Sequence, residues 1–274
     1  MAMMVMVMVM MMCLLACVSD GTAKASPETA NVPSPALAGP ETVTSAYPPP
    51  PGSVRVVPAD DFGRWIQDLP LRRAGTAVMT HDGRQVRGHY GRVVDMPMVS
   101  GDLQQCADAL LRVRGEWMRD TGQGGAVSFY ATSGDALPWS RYAGGDRPYV
   151  DGRHVRWRRG AASGGDWDGY LTRVFDWAGT ISLKAYETAL VEGRGPRPGD
   201  ILVRAGSPGH AVLLVDVATR GDQTVVLFVE SYMPAQDLHV EEGPLGGWWA
   251  WDPSGADMDL RTWTFSADDL RAWR

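Results

Sequence analysis

Cysteine is scarce in this chain, with Cys13, Cys17 and Cys106 as the only three in 274 residues. There is no HExxH motif, and no second cysteine lies near Cys106, so the common zinc signatures do not occur. No GxGxxG or P-loop stretch is present, which removes the usual cradles for nucleotide phosphates, and no cofactor is expected. Basic charge is also short. With 26 Lys and Arg against 32 Asp and Glu, the formal net charge is -6, and no basic footprint for nucleic acid appears. The one local cluster, "RHVRWRR" at 153–159, reads as a solvated strand or loop face.

The first 18 residues, "MAMMVMVMVMMMCLLACV", lack any charged side chain. This apolar N-terminal run reads as an export signal, although the usual basic residues ahead of its core are missing. Two cleavage sites are legible. "LLAC" resembles the lipobox of bacterial lipoproteins, which places the signal at 1–17, with lipidation of Cys17 and a membrane anchor. The alternative is the small-residue site "AKA", which releases a secreted or periplasmic chain after Ala25. Residues 18–53, rich in Ser, Pro and Ala and ending in "YPPPPGS", then read as a linker, and 54–274 as one domain.

Within that domain "DDFGRWIQDLPL" reads as a short helix stopped by Pro70, and "AVMTHDGRQV" as a hairpin around Asp82-Gly83. The strongest helical period is "GDLQQCADALLRVRGEWMRDTG", with apolar positions from Leu103 to Trp117 and a capping pair Asp102 and Gln105. One or two helices follow in 168–190. Then come three apolar strands, "DILVRAG", "HAVLLVDVA" and "TVVLFVESY". "WWAWDPSG" reads as a loop and "SADDLRAWR" as a last helix. One early central helix and a late block of strands predict an α+β fold with a helix-start Cys packed on an antiparallel sheet.

Removal of the signal leaves Cys106 as a thiol with no disulfide partner. It is either a nucleophile or a small buried hydrophobe. The nucleophile reading finds partners. His210 opens an apolar strand behind Gly209, and Glu230 is the one acid in the next strand. A base held by a strand and oriented by a buried carboxylate could take the proton of Cys106, whose thiolate would attack a carbonyl. Gln104 or Gln105 would assist the oxyanion, and Tyr232 and Gln236 would line the substrate cleft. The competing reading makes His210 a core or turn histidine and pairs Glu230 with an arginine such as Arg204.

The stretches "PGDILV", "GHAVLLVDV" and "VVLFVES" resemble the His-bearing and acid-bearing strands of NlpC-like and CHAP-type cell-wall amidases. That resemblance implies a papain-like fold with Cys, His and a polar orienter in this order. "QQCAD" departs from the Asp-Cys-Ser/Gly signature of those enzymes, and the interval from Cys106 to His210 carries an insert at about 126–190. A longer resemblance runs through "DLQQCADALLRVRGEWM", "VFDWAGTISL", "PGDILVRAGSPGHAVLLVDVA" and "ESYMPAQDLHV". These stretches are similar to the bacterial family called domain of unknown function 4846, whose members are often lipoproteins and commonly carry Gln where this chain has Glu230.

Two functions follow as expectations. The first is an exported, lipid-anchored cysteine amidase or peptidase acting on envelope peptide bonds, with peptidoglycan as partner. The second is a non-catalytic envelope module that binds a glycan or peptide on the same fold. "SYMPAQDLHV" gathers Tyr232, Gln236, Asp237 and His239, as cleft lining or as a tight turn around Pro234. Trp139, Trp157, Trp167, Trp248, Trp249 and Trp251 offer either a platform for sugars or core and rim packing. No metal is expected, although Asp200, His210 and Asp216 could in principle make a site.

Overall fold

The three apolar runs late in the chain pair with one another, because strands this rich in Val, Leu and Ile can be buried on both faces of one sheet. In the computed structural model, which describes residues 40–88, 90–160 and 163–274, they form its centre. The strands of this principal sheet are β1 (Val54–Arg55), β2 (Thr188–Leu190), β3 (Ile201–Arg204), β4 (His210–Arg220), β5 (Gln223–Glu230), β6 (His239–Glu241), β7 (Trp249–Trp251) and β8 (Leu270–Trp273). Their order is β6-β5-β4-β3-β8-β2, with β1 on β4 and β7 on β5, and every pairing is antiparallel. The α+β class is therefore present.

Alternation along β4 divides the interior in two. Ala211, Leu213 and Val215 face a core that also holds Leu110, Leu111, Val113 and Trp117 of the long helix. Val212, Leu214 and Val217 face a second core with Phe228, Trp251, Leu260, Phe265 and Leu270. The longer helices that serve the first face are α1 (Asp61–Gln67), α2 (Cys106–Asp120) and α3 (Trp167–Phe175). Asp60 caps α1 by accepting from the Gly63 N–H at 2.7 Å. No described helix is long and apolar enough to cross a membrane.

Several boundaries differ from the sequence expectation. The N-cap of α2 is Gln105, whose N–H donates to Asp108 Oδ2 at 3.2 Å, so Cys106 is the first helical residue. Asp102, expected to cap, instead accepts from the Ala235 N–H at 2.6 Å. The end of the chain is a strand, β8, preceded by a short 3-10 turn over Ala267–Asp269, because β2 and β3 offer it a ladder on both sides. Part of the expected loop at 248–255 is β7. "RHVRWRR" lies largely in the hairpin strand His154–Arg159, as a largely exposed face.

The expected linker does not reach residue 53. A single helical turn, Val43–Ala46, buries Val43 completely, and the Tyr47 hydroxyl accepts from the Arg92 N–H at 2.8 Å. The Trp248 indole N–H donates to the Pro48 carbonyl at 3.1 Å. The domain therefore begins near residue 40. The signal at 1–17, Cys17 and the Ala25 site lie outside the described residues.

Candidate functional site

Period-2 alternation decides the fate of the expected Cys–His–Glu set. His210 has the parity of Val212 and Leu214, so its ring enters the second core. There it packs against Phe265 and Trp263, with centroids 5.8 and 5.6 Å away. Cys106 starts α2, which covers the opposite face. Its sulfur lies under the backbone of β4, with the thiol directed at the Gly209 carbonyl 3.9 Å away and the Ala211 N–H directed at the sulfur. The sulfur is thus held by the peptide groups on either side of His210, while the ring of His210 turns to Glu230, and no hydrogen bond joins thiol and imidazole among the described residues.

The environment of Cys106 opposes thiolate formation as well. The residue is 5% exposed, and burial followed by the neighbouring Asp108 pushes the thiol up to about 12. Its position at the helix start does not offset this. A cleft of about 270 Å³ does border Cys106, between the first turn of α2 and the Gly206–Gly209 loop. Gln104 is not an oxyanion donor: its Nε2 donates to the Pro97 carbonyl, and its Oε1 accepts from the Val99 N–H and from Arg112. Gln105 Nε2 is held by Asp102 at 3.1 Å.

The other half of the expected set is formed. His210 Nε2 lies 2.7 Å from Glu230 Oε2, which also accepts from the Thr262 hydroxyl at 2.8 Å. Arg204 pairs with Asp269 instead of Glu230. Two further residues join this face. β6 pairs with β5 in a register that sets His239 opposite Glu230 and Glu241 opposite Phe228, so both side chains share the face of Glu230. His210, Glu230, His239 and Glu241 have no exposed surface. His239 Nδ1 bonds the Asp237 carbonyl at 2.9 Å, and Glu241 Oε1 accepts from the Arg261 N–H at 2.9 Å. Burial, and next the charge of Glu230, push Glu241 up to about 7, whereas burial lowers His239. One atom in each of these four side chains lacks a hydrogen-bond partner: His210 Nδ1, Glu230 Oε1, His239 Nε2 and Glu241 Oε2.

Glu241 is the residue that motif reasoning missed. Its signal was the alternation "H-V-E" directly after the acid strand, which places two polar side chains on one face. Asp200 and Asp216 do not approach His210 as a ligand set. Asp200 is bound by Arg194, and Asp216 by Arg55 and Gln67.

An open cleft of about 910 Å³ adjoins this face. Arg84, Arg87, Tyr90, Tyr232 and Gln236 are among its lining residues, whereas the cleft at Cys106 includes neither Tyr232 nor Gln236. The Tyr90 ring meets His239 edge-on at 4.9 Å, and the Tyr232 ring meets His210 edge-on at 5.1 Å. The two tyrosines thus link the cleft to the two buried histidines. Asp237 is taken up by the Met79 N–H and by Arg72, a structural role. The tryptophans do not gather into one platform. Trp139 and Trp167 pack with Tyr170, and Trp248 is fully buried.

No curated protein and no solved structure matches the chain. A family model spans nearly all of the described domain, from the helical turn at Val43 to the last strand. The chain belongs to the family described as domain of unknown function 4846, matched over residues 43–272.

Proposed function

We propose that this protein is an envelope module that binds a carboxylate-bearing peptide or glycan, such as a peptidoglycan fragment, in the cleft beside Tyr90 and Tyr232. One observation carries this reading: two guanidinium groups and two half-buried tyrosine rings line a single open cleft. Arg84 is half engaged by Asp82 at 2.8 Å, and no ion pair is formed by Arg87 among the described residues. Guanidinium forks match carboxylates, and tyrosine faces suit sugar rings or apolar side chains. Export, and anchoring through a lipidated Cys17, belong to the same proposal.

The cysteine hydrolase is the second reading. The helix-start Cys106, packed on an antiparallel sheet beside its own small cleft, supports a papain-like arrangement. Its chemistry lacks support, because no side-chain base is hydrogen-bonded to the sulfur among the described residues and the thiol is buried. One experiment separates the two readings. Soluble peptidoglycan stem peptides are titrated into wild type, Arg87→Ala, Tyr232→Ala and Cys106→Ala, with release of amines followed in parallel. Binding weakened on the order of tenfold by the two cleft variants and untouched by Cys106→Ala is expected, without amine release. Amine release that Cys106→Ala abolishes would overturn the binding module in favour of the hydrolase.

A further inference from the structure

Two adjacent strands deliver hydrogen-bond acceptors, and no donor, to one buried point. Glu230 on β5 and His239 on β6 are direct register partners, and Glu241 follows two residues on, so the pleat aims all three to one side. Each already commits one atom to the protein. Glu230 Oε2 accepts from Thr262 and lies against His210, Glu241 Oε1 accepts from the Arg261 backbone, and His239 Nδ1 donates to the Asp237 carbonyl. That last bond makes Nε2 the lone-pair nitrogen of a neutral ring.

One ligand-type atom from each of Glu230, His239 and Glu241 lies within 4.8 Å of the other two, and Glu230 Oε1, His239 Nε2 and Glu241 Oε2 are fully buried without partners. His239 Nε2 and Glu230 Oε1 are 3.7 Å apart, beyond hydrogen-bond range. Carboxylate oxygens and a lone pair facing one another out of water are unfavourable unless a cation or a shared proton lies among them. The guanidinium of Arg261, whose backbone N–H serves Glu241, donates its Nε to the Glu242 carbonyl at 3.1 Å.

We infer that Glu230, His239 and Glu241 form a binding site for one divalent transition-metal ion of the zinc type. Ligand atoms about 2.0–2.2 Å from a tetrahedral ion stand roughly 3.3–3.6 Å apart, so the observed spacing needs only a small inward movement. One imidazole with two carboxylates favours zinc, manganese or ferrous iron over calcium. The hydrogen bonds behind each ligand are those that orient metal-binding side chains: a carbonyl behind the imidazole and donors behind each carboxylate. Three protein ligands leave a fourth position to complete a tetrahedron. This site stands whether or not the cleft binds a peptide or glycan.

The test uses folded protein stripped with a chelator and then titrated with zinc against a chromophoric competitor. Wild type is expected to take up one equivalent and to melt at a higher temperature when loaded. Glu241→Gln and His239→Gln are expected to weaken uptake on the order of tenfold or more and to abolish the thermal gain. Without metal, Glu241→Gln should melt no lower than wild type, because it removes one of two facing charges. Absence of stoichiometric uptake by wild type overturns the inference and leaves a proton shared between Glu230 and Glu241. Uptake that neither variant changes also overturns it, by placing the ion elsewhere. Should the variants fail to fold, anomalous scattering from a zinc-soaked wild-type crystal decides. A peak bonded to the three atoms supports the site, and a peak elsewhere or none overturns it.

Discussion

Cys106 illustrates how one residue can satisfy the local rules for a nucleophile and fail the non-local ones. It occupies the first position of a 15-residue helix, where the backbone dipole favours a thiolate. Desolvation outweighs the dipole, raising the thiol from its ordinary 9.0 to about 12. A shift of that size reduces the thiolate fraction on the order of a thousandfold near neutral pH. We therefore expect iodoacetamide to label Cys106 at pH 8 at least that much more slowly in the folded protein than in denaturant, with His210→Ala leaving the folded rate unchanged. Rapid labelling that His210→Ala slows would mean that the imidazole activates the thiol despite its burial. His210 itself is explained without the thiol: its ring stacks on Phe265 and bonds Glu230, on a face α2 does not cover.

Elements were more legible than their faces. The apolar runs of β3, β4 and β5 announce themselves by composition, and the period of α2 by its spacing from Leu103 to Trp117. Alternation along β4 is equally readable and separates His210 from Ala211. Which face α2 would take is not, because both faces of that strand are apolar and only tertiary packing assigns them. The same limit misjudged "SADDLRAWR". A short amphipathic end is ambiguous until β2 and β3 offer it hydrogen bonds. Glu241 escaped notice because ligand-type residues on neighbouring strands share no sequence motif. Gly115 shows packing overriding propensity inside α2. Alanine there should gain about 1 kcal/mol of helix preference. Its added Cβ, however, would lie 2.9 Å from Trp167 Cζ2 and 3.0 Å from Cη2 on α3. Trp167 has little room to retreat, since its indole N–H donates to Glu116 at 2.9 Å and its ring packs on Trp139 and Tyr170. Gly115→Ala should therefore lower stability by about 1–3 kcal/mol in denaturant unfolding. An unchanged or raised midpoint would show that the α2–α3 contact can relax.

For the domain as a whole, the sheet is a wall between two interiors, and the segment ahead of β1 helps to close the first of them. Val43 and Tyr47 belong to the core that includes Ile66, Leu69 and Trp248. The hydrogen bonds of this segment are equally specific. Tyr47 takes the Arg92 N–H, the Arg55 guanidinium donates to the Thr44 and Tyr47 carbonyls, and Pro48 takes the Trp248 indole. Arg55 also holds Asp216, a buried carboxylate beside the β4 bulge, which burial pushes above its ordinary range despite that partner. Loss of residues 40–53 would uncover the Ile66–Leu69 surface and leave the Trp248 N–H without its acceptor. It would also free Arg55 from two of its three partners, loosening the group that offsets the charge of Asp216. A chain starting at residue 54 should therefore unfold at least ~2 kcal/mol more easily than one starting at residue 40. Paired urea titrations of the two would measure this, and coincident curves would return the domain boundary to Val54, where composition alone had placed it.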